Sequence, residues 1–173
     1  NNIKPIIIFT KADLLSDLEL TEFKEYYNYY KKIGIDVYFN DELLEISKIF
    51  KDKVSVFTGQ SGAGKSTLLN RLDDSLNIKT GEISLALNRG KHTTRHTSLL
   101  KVYDGLVADT PGFSALNFGE MTKSDIRDNF AEFNTYRDKC KYRDCMHDKE
   151  DDCEIKDRVK SGDILISRYN NYI

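Results

Sequence analysis

The sequence has no tryptophan, two prolines, three cysteines and no long apolar run. Its longest apolar runs, such as Ile6–Phe9, have the length of a β-strand, whereas a membrane-spanning helix needs about 20 apolar residues. With a mean hydropathy of -0.53, the composition predicts a soluble protein. A net charge of -2 excludes a protein whose whole surface is basic and binds nucleic acid, but it allows local basic patches. Three cysteines cannot all form disulfides, and their clustering between Cys140 and Cys153 indicates a metal site in a reducing compartment.

Apolar, β-branched segments alternate with segments of helical periodicity in the first two thirds of the chain. This alternation predicts an α/β fold with a mostly parallel sheet. We predict strands at 6–9, 35–39 and 54–58, helices at 16–32, 41–50 and 66–72, and a hairpin over 99–109 that turns at Asp104-Gly105. The strand at 6–9 should be fully buried, and the aromatic residues of the first helix should face the core. Beyond Phe118 the pattern changes to short, charged helical stretches, so we place a domain boundary between residues 1–118 and a small, mainly helical domain at 119–173.

A glycine-rich segment between a predicted strand and helix fits the phosphate-loop pattern G-x-x-x-x-G-K-[ST]. Its backbone N–H groups would cradle the β-phosphate of a nucleotide at a helix N-terminus. Lys65 would reach the β- and γ-phosphates, and the Ser66 hydroxyl would bind Mg²⁺. The predicted nucleotide contacts of this loop are Gly59, Gln60, Ser61, Gly62, Ala63, Gly64, Lys65, Ser66 and Thr67.

The segment Asp109-Thr110-Pro111-Gly112 follows the phosphate loop and ends an apolar strand. A carboxylate at Asp109 could hold Mg²⁺ through water, and the Gly112 N–H would face the γ-phosphate. The loop between these motifs contains Thr93 and Thr94, where a GTPase needs a threonine hydroxyl to complete the Mg²⁺ coordination. We assign that role to Thr94; the alternative is that both are surface threonines.

The tetrad Thr10-Lys11-Ala12-Asp13 precedes the phosphate loop, whereas in an ordinary GTPase such a tetrad follows it. The Asp13 carboxylate could accept hydrogen bonds from the N1–H and N2–H₂ groups of guanine, which adenine does not present. The stem of Lys11 would cover the base, and Thr10 completes the predicted base site. The chain is therefore predicted to bind guanine nucleotides, and an ATP-dependent kinase or ATPase is the alternative.

Three thiols and one imidazole, from Cys140, Cys145, His147 and Cys153, have the number and spacing of a closed tetrahedral Zn²⁺ site. Four protein ligands leave no open position, which indicates a structural ion; the alternative is three free thiols near a surface histidine. Basic and aromatic residues surround the cluster and could bind RNA, but acidic residues lie among them and a solvated loop is equally compatible. The basic and aromatic residues are Tyr136, Lys139, Lys141, Tyr142, Arg143 and Lys149.

The order of these motifs resembles the circularly permuted, ribosome-associated GTPases called RsgA, YjeQ or YloQ. The resemblance covers nearly the whole chain and implies a GTPase that acts in late maturation of the small ribosomal subunit and contacts its rRNA. It implies Mg²⁺, one structural Zn²⁺ and a location in the cytoplasm, or inside an organelle with its own ribosomes. We expect a monomer without membrane attachment. Family members usually carry an N-terminal OB-fold, so we expect this chain to comprise the GTPase and zinc domains alone.

The resemblance also implies a catalytic role for His92, in the family's G-x-H-T-T loop. Many GTPases place a glutamine after Asp-x-x-Gly to orient the attacking water, but Phe113 stands there and can neither donate nor accept a hydrogen bond. Gln60 is a weaker alternative. Two departures stand out: Thr10 replaces the usual asparagine, and residues 40–42 replace the family's Ser-Ala loop that supports the base. A zinc-containing RNA-binding module with weak nucleotide turnover is a further alternative.

Overall fold

The computed structural model describes residues 3–60, 62–76, 78, 98–109 and 119–173, with Ser98 and Asp109 described by their backbone alone. The chain divides into two compact units. The first takes in Asn1–Tyr30 and Ile35–Leu116, and the second takes in Lys31–Gly34 and Asn117–Ile173. The boundary expected after residue 118 stays a prediction. In the described residues, no helix combines the length and the apolar character that crossing a membrane requires.

The first unit is built from strands and helices in alternation, as the sequence predicts. In chain order its elements are β1 (Ile6–Phe9), α1 (Asp17–Lys32), β2 (Asp36–Phe39), α2 (Leu43–Phe50), β3 (Val54–Val56), α3 (Lys65–Leu72), β4 (Ser98–Val102) and β5 (Gly105–Asp109). β1 pairs with β2 in parallel, and a second ladder has the order β3-β5-β4. Within it β3 and β5 are parallel, whereas β4 and β5 are antiparallel. The prediction of an α/β fold with mostly parallel pairing is confirmed.

Aromatic side chains of α1 pack against the aromatic side chains of the β1–β2 pair. The ring of Phe23 meets that of Phe9 edge-on at 5.2 Å between centroids, and Tyr27 stacks on Phe39 at 5.0 Å. Tyr29 is buried as well. The interpretation of the aromatic residues of this helix as a core face is therefore confirmed, and such ring pairs add about 0.5–1.5 kcal/mol beyond the area they bury.

Helices α2 and α3 cover one face of the three-stranded ladder and form the main core with it. Its buried members are Ile46, Phe50, Leu68, Leu69, Leu72, Val102 and Val107. The prediction that β1 is fully buried is wrong, because all four of its residues are half-buried. Val54 and Val56 of β3 are 65% and 50% exposed. Within the described residues β1 pairs with β2 alone and β3 with β5 alone, so each keeps an open edge.

The hairpin of β4 and β5 turns one residue earlier than predicted. Val102 pairs with Gly105, so Tyr103 and Asp104 form the turn, and Tyr103 has a left-handed φ of 51°. Gly105 is instead the first residue of β5. A Cβ there would lie 1.9 Å from the carbonyl oxygen of Phe50. Close approach of two backbones thus explains this glycine, rather than the geometry of the turn.

The second unit is helical among its described residues. Its elements are α4 (Lys123–Asp128), α5 (Ala131–Tyr136), α6 (Glu154–Lys160) and α7 (Ile166–Tyr172). Thr122 caps α4 in a reciprocal capping box with Asp125. The core is small and includes two thiols of the predicted metal site: Phe133, Cys145, Cys153, Ile155 and Ile164 are buried. An ion pair of 2.7 Å between Arg168 and the buried Glu132 connects α7 to α5.

Candidate functional site

The phosphate loop runs from β3 into α3 as the sequence predicts. Gly64 caps the helix with a left-handed φ of 89°, a conformation that favours glycine. The Nζ of Lys65 donates hydrogen bonds to the carbonyl oxygens of Gly59 at 2.6 Å and Gln60 at 2.8 Å. Ser66 is buried in the first turn of α3, whereas Thr67 is exposed. The lysine ammonium therefore lies directly against the loop that would surround a phosphate.

The base tetrad directly contacts the phosphate loop. Thr10 follows β1, and its Oγ1 donates to the carbonyl oxygen of Ala63 at 2.7 Å. A Cβ on Gly64 would lie 3.6 Å from the Cβ of Thr10, so the two loops pack closely. Lys11 has a left-handed φ of 61° and begins the 3₁₀ turn Ala12–Leu14, on which Asp13 is exposed. Threonine in place of asparagine thus still provides a hydrogen bond between the base loop and the phosphate loop.

Other predicted parts of the nucleotide site begin at the same end of the strands. The N–H of Asn40 donates to the carbonyl oxygen of Phe9 at 2.9 Å, which fixes the start of the 40–42 loop beside the base tetrad. Asp109 ends β5, which runs parallel to β3, so its backbone and the phosphate loop leave the ladder at one edge. The remaining predicted residues lie outside the described part of the chain: Ser61, His92, Thr94, Gly112 and the side chain of Asp109.

The predicted metal ligands are brought together in the second unit. The ligand atoms of Cys140, Cys145, His147 and Cys153 all lie within 4.8 Å of one another. The Nδ1 of His147 is 3.4 Å from the Sγ of Cys153 and 3.7 Å from the Sγ of Cys140. Three of the four residues are buried, and Cys140 is half-buried. This donor set fits a tetrahedral Zn²⁺ with bonds of about 2.0–2.3 Å, with Nδ1 as the histidine ligand atom.

Burial shifts the protonation of these ligands. It raises the pKa of Cys145 to about 12 and raises that of Cys153, whereas it lowers the pKa of His147 to about 4. Without an ion the two thiols stay protonated and the imidazole stays neutral at pH 7. A bound dication favours the thiolates, so metal binding releases protons and weakens as the pH falls.

Side chains that no sequence motif indicates hold the turn around His147. Glu150 accepts hydrogen bonds from the N–H groups of Met146 at 2.7 Å and Asp148 at 3.0 Å. The hydroxyls of Tyr169 and Tyr172 donate to carbonyl oxygens of the same turn. No ligand-spacing rule points to these residues, because they bond to the backbone beside a ligand and not to the ion.

The basic and aromatic residues around the cluster divide into two groups. Tyr136 is half-buried, with the Arg158 guanidinium 4.9 Å from its ring centroid, so one face of this ring is occupied. Lys141 forms an ion pair with Asp152 at 2.6 Å. Tyr142 is 46% exposed, with the Nζ of Lys141 5.7 Å from its ring centroid, and Arg143 is exposed.

The α/β fold, the phosphate loop and the preceding tetrad define a circularly permuted P-loop GTPase fold, followed by a helical unit with a Cys₃His cluster. The family model described as RsgA GTPase matches residues 1–119. The chain belongs to the RsgA GTPase family.

Relatives and solved structures agree with this assignment. The chain is 51% identical over 177 residues to small ribosomal subunit biogenesis GTPase RsgA 2 of Oceanobacillus iheyensis, covering 99% of this chain and 60% of that protein. It is 43% identical to the RsgA of Bacillus subtilis, covering 100% of this chain and 60% of the relative.

The structure of YloQ, titled a circularly permuted GTPase, matches with a TM-score of 0.76 and 36% identity, over 99% of this chain and 55% of that one. YjeQ from Thermotoga maritima matches with a TM-score of 0.79 and 29% identity, over 99% and 58%. The chain thus spans about 60% of the length of the two curated relatives.

Proposed function

We propose that this chain is the guanine-nucleotide switch of a protein that serves maturation of the small ribosomal subunit. The observation that carries this proposal is the bond from Thr10 Oγ1 to Ala63 O, which links a guanine-type tetrad to a phosphate loop 53 residues away. The names of the relatives supply the small subunit as the partner class. We infer a location wherever small ribosomal subunits are made, the cytoplasm in bacteria, and a monomer that docks on rRNA.

The roles of individual residues follow from this proposal. Asp13 and Lys11 bind the guanine, Lys65 and the loop N–H groups bind the phosphates, and Mg²⁺ is held by Ser66 and Thr94, with Asp109 acting through water. Gly112 senses the γ-phosphate. The reaction adds one water to GTP and yields GDP and inorganic phosphate.

We assign to His92 the role of positioning the attacking water. Phe113 stands where many GTPases have the water-orienting glutamine, so another polar group is needed. Imidazole can orient a water or accept its proton near neutral pH. Without a partner we expect slow turnover, in the range of about 10⁻⁴ to 10⁻² s⁻¹ of intrinsic GTPases.

GTP hydrolysis with and without small ribosomal subunits tests the proposal. We expect subunits to stimulate phosphate release by the parent chain, and His92→Ala to lower the stimulated rate by about 10²-fold, a typical contribution of acid–base catalysis. His96→Ala, four residues further on, is the matched control and should keep the parental rate. Absence of stimulation would contradict the ribosomal role, and parental rates for His92→Ala would contradict the role of this histidine.

Thr10→Val tests the link between the two loops. The substitution keeps the shape of the side chain but leaves the Ala63 carbonyl without its hydroxyl donor, so we expect GDP to bind about 5- to 10-fold more weakly, as loss of one hydrogen bond of about 1 kcal/mol predicts. Nucleotide titration by calorimetry measures the change. Thr21→Val is the control, since it removes an exposed hydroxyl that bonds within α1, to Asp17. Equal affinities for both variants would show that the link plays no part in binding.

The Cys₃His cluster is proposed to hold one structural Zn²⁺ through Cys140, Cys145, His147 and Cys153. The ion would supply folding free energy to a unit with a small core, and its four protein ligands leave no position for catalysis. We propose residues 1–118 as the GTPase domain and residues 119–173 as the zinc domain that contacts rRNA.

A further inference from the structure

The backbone of His147 adopts a conformation that needs support. Its φ of 60° is left-handed, a conformation that costs free energy for residues other than glycine because Cβ crowds the following carbonyl, although histidine adopts it more often than most residues. In this conformation the Nδ1 atom of His147 lies close to the thiols of Cys140 and Cys153. The Nε2 atom is buried and has no hydrogen-bond partner in the described structure, so no hydrogen bond orients the ring from the side opposite Nδ1. The turn itself must therefore be held by its surroundings.

Two tyrosines of α7 support the carbonyl groups of this turn, while Glu150 binds its N–H groups. The hydroxyl of Tyr169 donates to the carbonyl oxygen of His147 at 2.6 Å, and that of Tyr172 donates to the carbonyl oxygen of Met146 at 2.5 Å. The two bonds thus fix consecutive peptide groups, one on each side of the histidine Cα. With a spacing of three residues, the tyrosines lie on one face of the helix.

The position of the tyrosines is itself fixed by packing. Next to Tyr169, Arg168 donates two hydrogen bonds to the Glu132 carboxylate, at 2.7 and 3.2 Å. The ring of Tyr172 meets that of Phe133 edge-on at 5.0 Å, and Phe133 meets the imidazole of His147 edge-on at 5.4 Å. Phe133 is fully buried. The same framework therefore contacts the histidine ring and places the hydroxyls that hold its backbone.

We propose that Tyr169 and Tyr172 are positioning residues for the metal ligand His147, so that α7 determines how tightly the chain holds its divalent ion. The proposal rests on the proposed zinc site. Neither tyrosine contacts the ion; both act through the carbonyl groups of the turn. Residues that orient a metal ligand in this way typically change metal affinity by about 10- to 100-fold when they are substituted.

The test compares metal binding by the parent chain and by the double variant Tyr169→Phe/Tyr172→Phe, which removes two hydroxyls and keeps both rings. We expect the parent to bind one Co²⁺ with the intense visible absorption of a tetrahedral site. The double variant should bind Zn²⁺ about 10- to 100-fold more weakly in chelator competition, and its Co²⁺ bands should weaken as the imidazole leaves the ion. Tyr142→Phe, which changes an exposed tyrosine near the cluster, should match the parent.

A double-mutant cycle separates positioning from a general loss of stability. In a His147→Ala background the two tyrosine substitutions should no longer change the Zn²⁺ affinity, because the ligand through which they act is gone. Unchanged affinity of the double variant in the parent background would overturn the inference, and so would an equal loss in both backgrounds. A parent chain that binds no Co²⁺ or Zn²⁺ would instead refute the proposed metal site, and the inference with it.

Discussion

Asp13→Asn is expected to lower GTP affinity by about 10³-fold or more, and to make xanthine nucleotides the preferred ligands. A carboxylate accepts two hydrogen bonds from guanine, whereas a carboxamide offers one donor and one acceptor, which match the N1–H and C2 carbonyl of xanthine. Sites that hydrogen-bond a substrate directly reject the unmatched analogue by about 10⁴- to 10⁵-fold. Asp13 is exposed on a short 3₁₀ turn, so this change should leave the core of the first unit intact.

Competition binding with GTP, XTP and ATP measures this change of preference. Asp17→Asn is the matched control, since it makes the same chemical change at an exposed position at the start of α1. If Asp13→Asn binds GTP as tightly as the parent, Asp13 does not recognise the base. If, in addition, ATP competes for the parent chain as effectively as GTP does, the alternative of an ATP-dependent kinase or ATPase is the better interpretation.

Removal of the metal is expected to unfold the second unit. Its buried core is small and includes the thiols of Cys145 and Cys153, so loss of the ion removes both the ligand bonds and the order of the core. Structural Zn²⁺ supplies about 10–16 kcal/mol in small zinc peptides, as much as the roughly 5–15 kcal/mol by which most domains are stable. A strong chelator, or Cys145→Ser, should therefore abolish the helical circular dichroism of α4 to α7.

Thiol reactivity provides a second measurement. All three cysteines should resist a thiol reagent in the metal-bound chain and react after chelation. Asp144→Asn, beside Cys145 but exposed, should behave as the parent. GDP binding by the first unit should survive, which would separate this effect from global unfolding. Full helicity after complete metal removal would favour the alternative of three free thiols.

Local patterns explain what could be predicted from the sequence. The strand at Ile6–Phe9, the helix that begins at Lys65 and the approach of the four metal ligands follow from residue types at short spacings. The position of the hairpin turn could not be predicted from the local sequence. Gly105 is needed because the backbone there passes close to the carbonyl of Phe50, which is distant in sequence. The bond of Thr10 to Ala63 also connects residues 53 positions apart, a distance at which no periodicity applies.

The contacts of the side chains around the Cys₃His cluster could not be predicted from the local sequence either. Tyr172 and the Met146 carbonyl are 26 positions apart, and their contact depends on how α7 packs in the second unit. The exposure of Val54 and Val56 depends on which strands and helices flank β3, and their β-branched character predicts a strand without predicting its neighbours. The residues that form each motif can thus be found in the local sequence, whereas the contacts that hold them in place depend on tertiary packing.

The left-handed backbone at position 147 favours some residue types over others at the proposed zinc site. Structural zinc sites with four cysteines occur as well as Cys₃His sites, so a fourth cysteine could complete the coordination in chemical terms. Histidine, however, belongs with asparagine and aspartate to the few residue types that are enriched at positive φ. A cysteine, which is not among these enriched types, would suit the turn less well. The backbone geometry of this one turn therefore favours histidine over a fourth cysteine among the four proposed ligands.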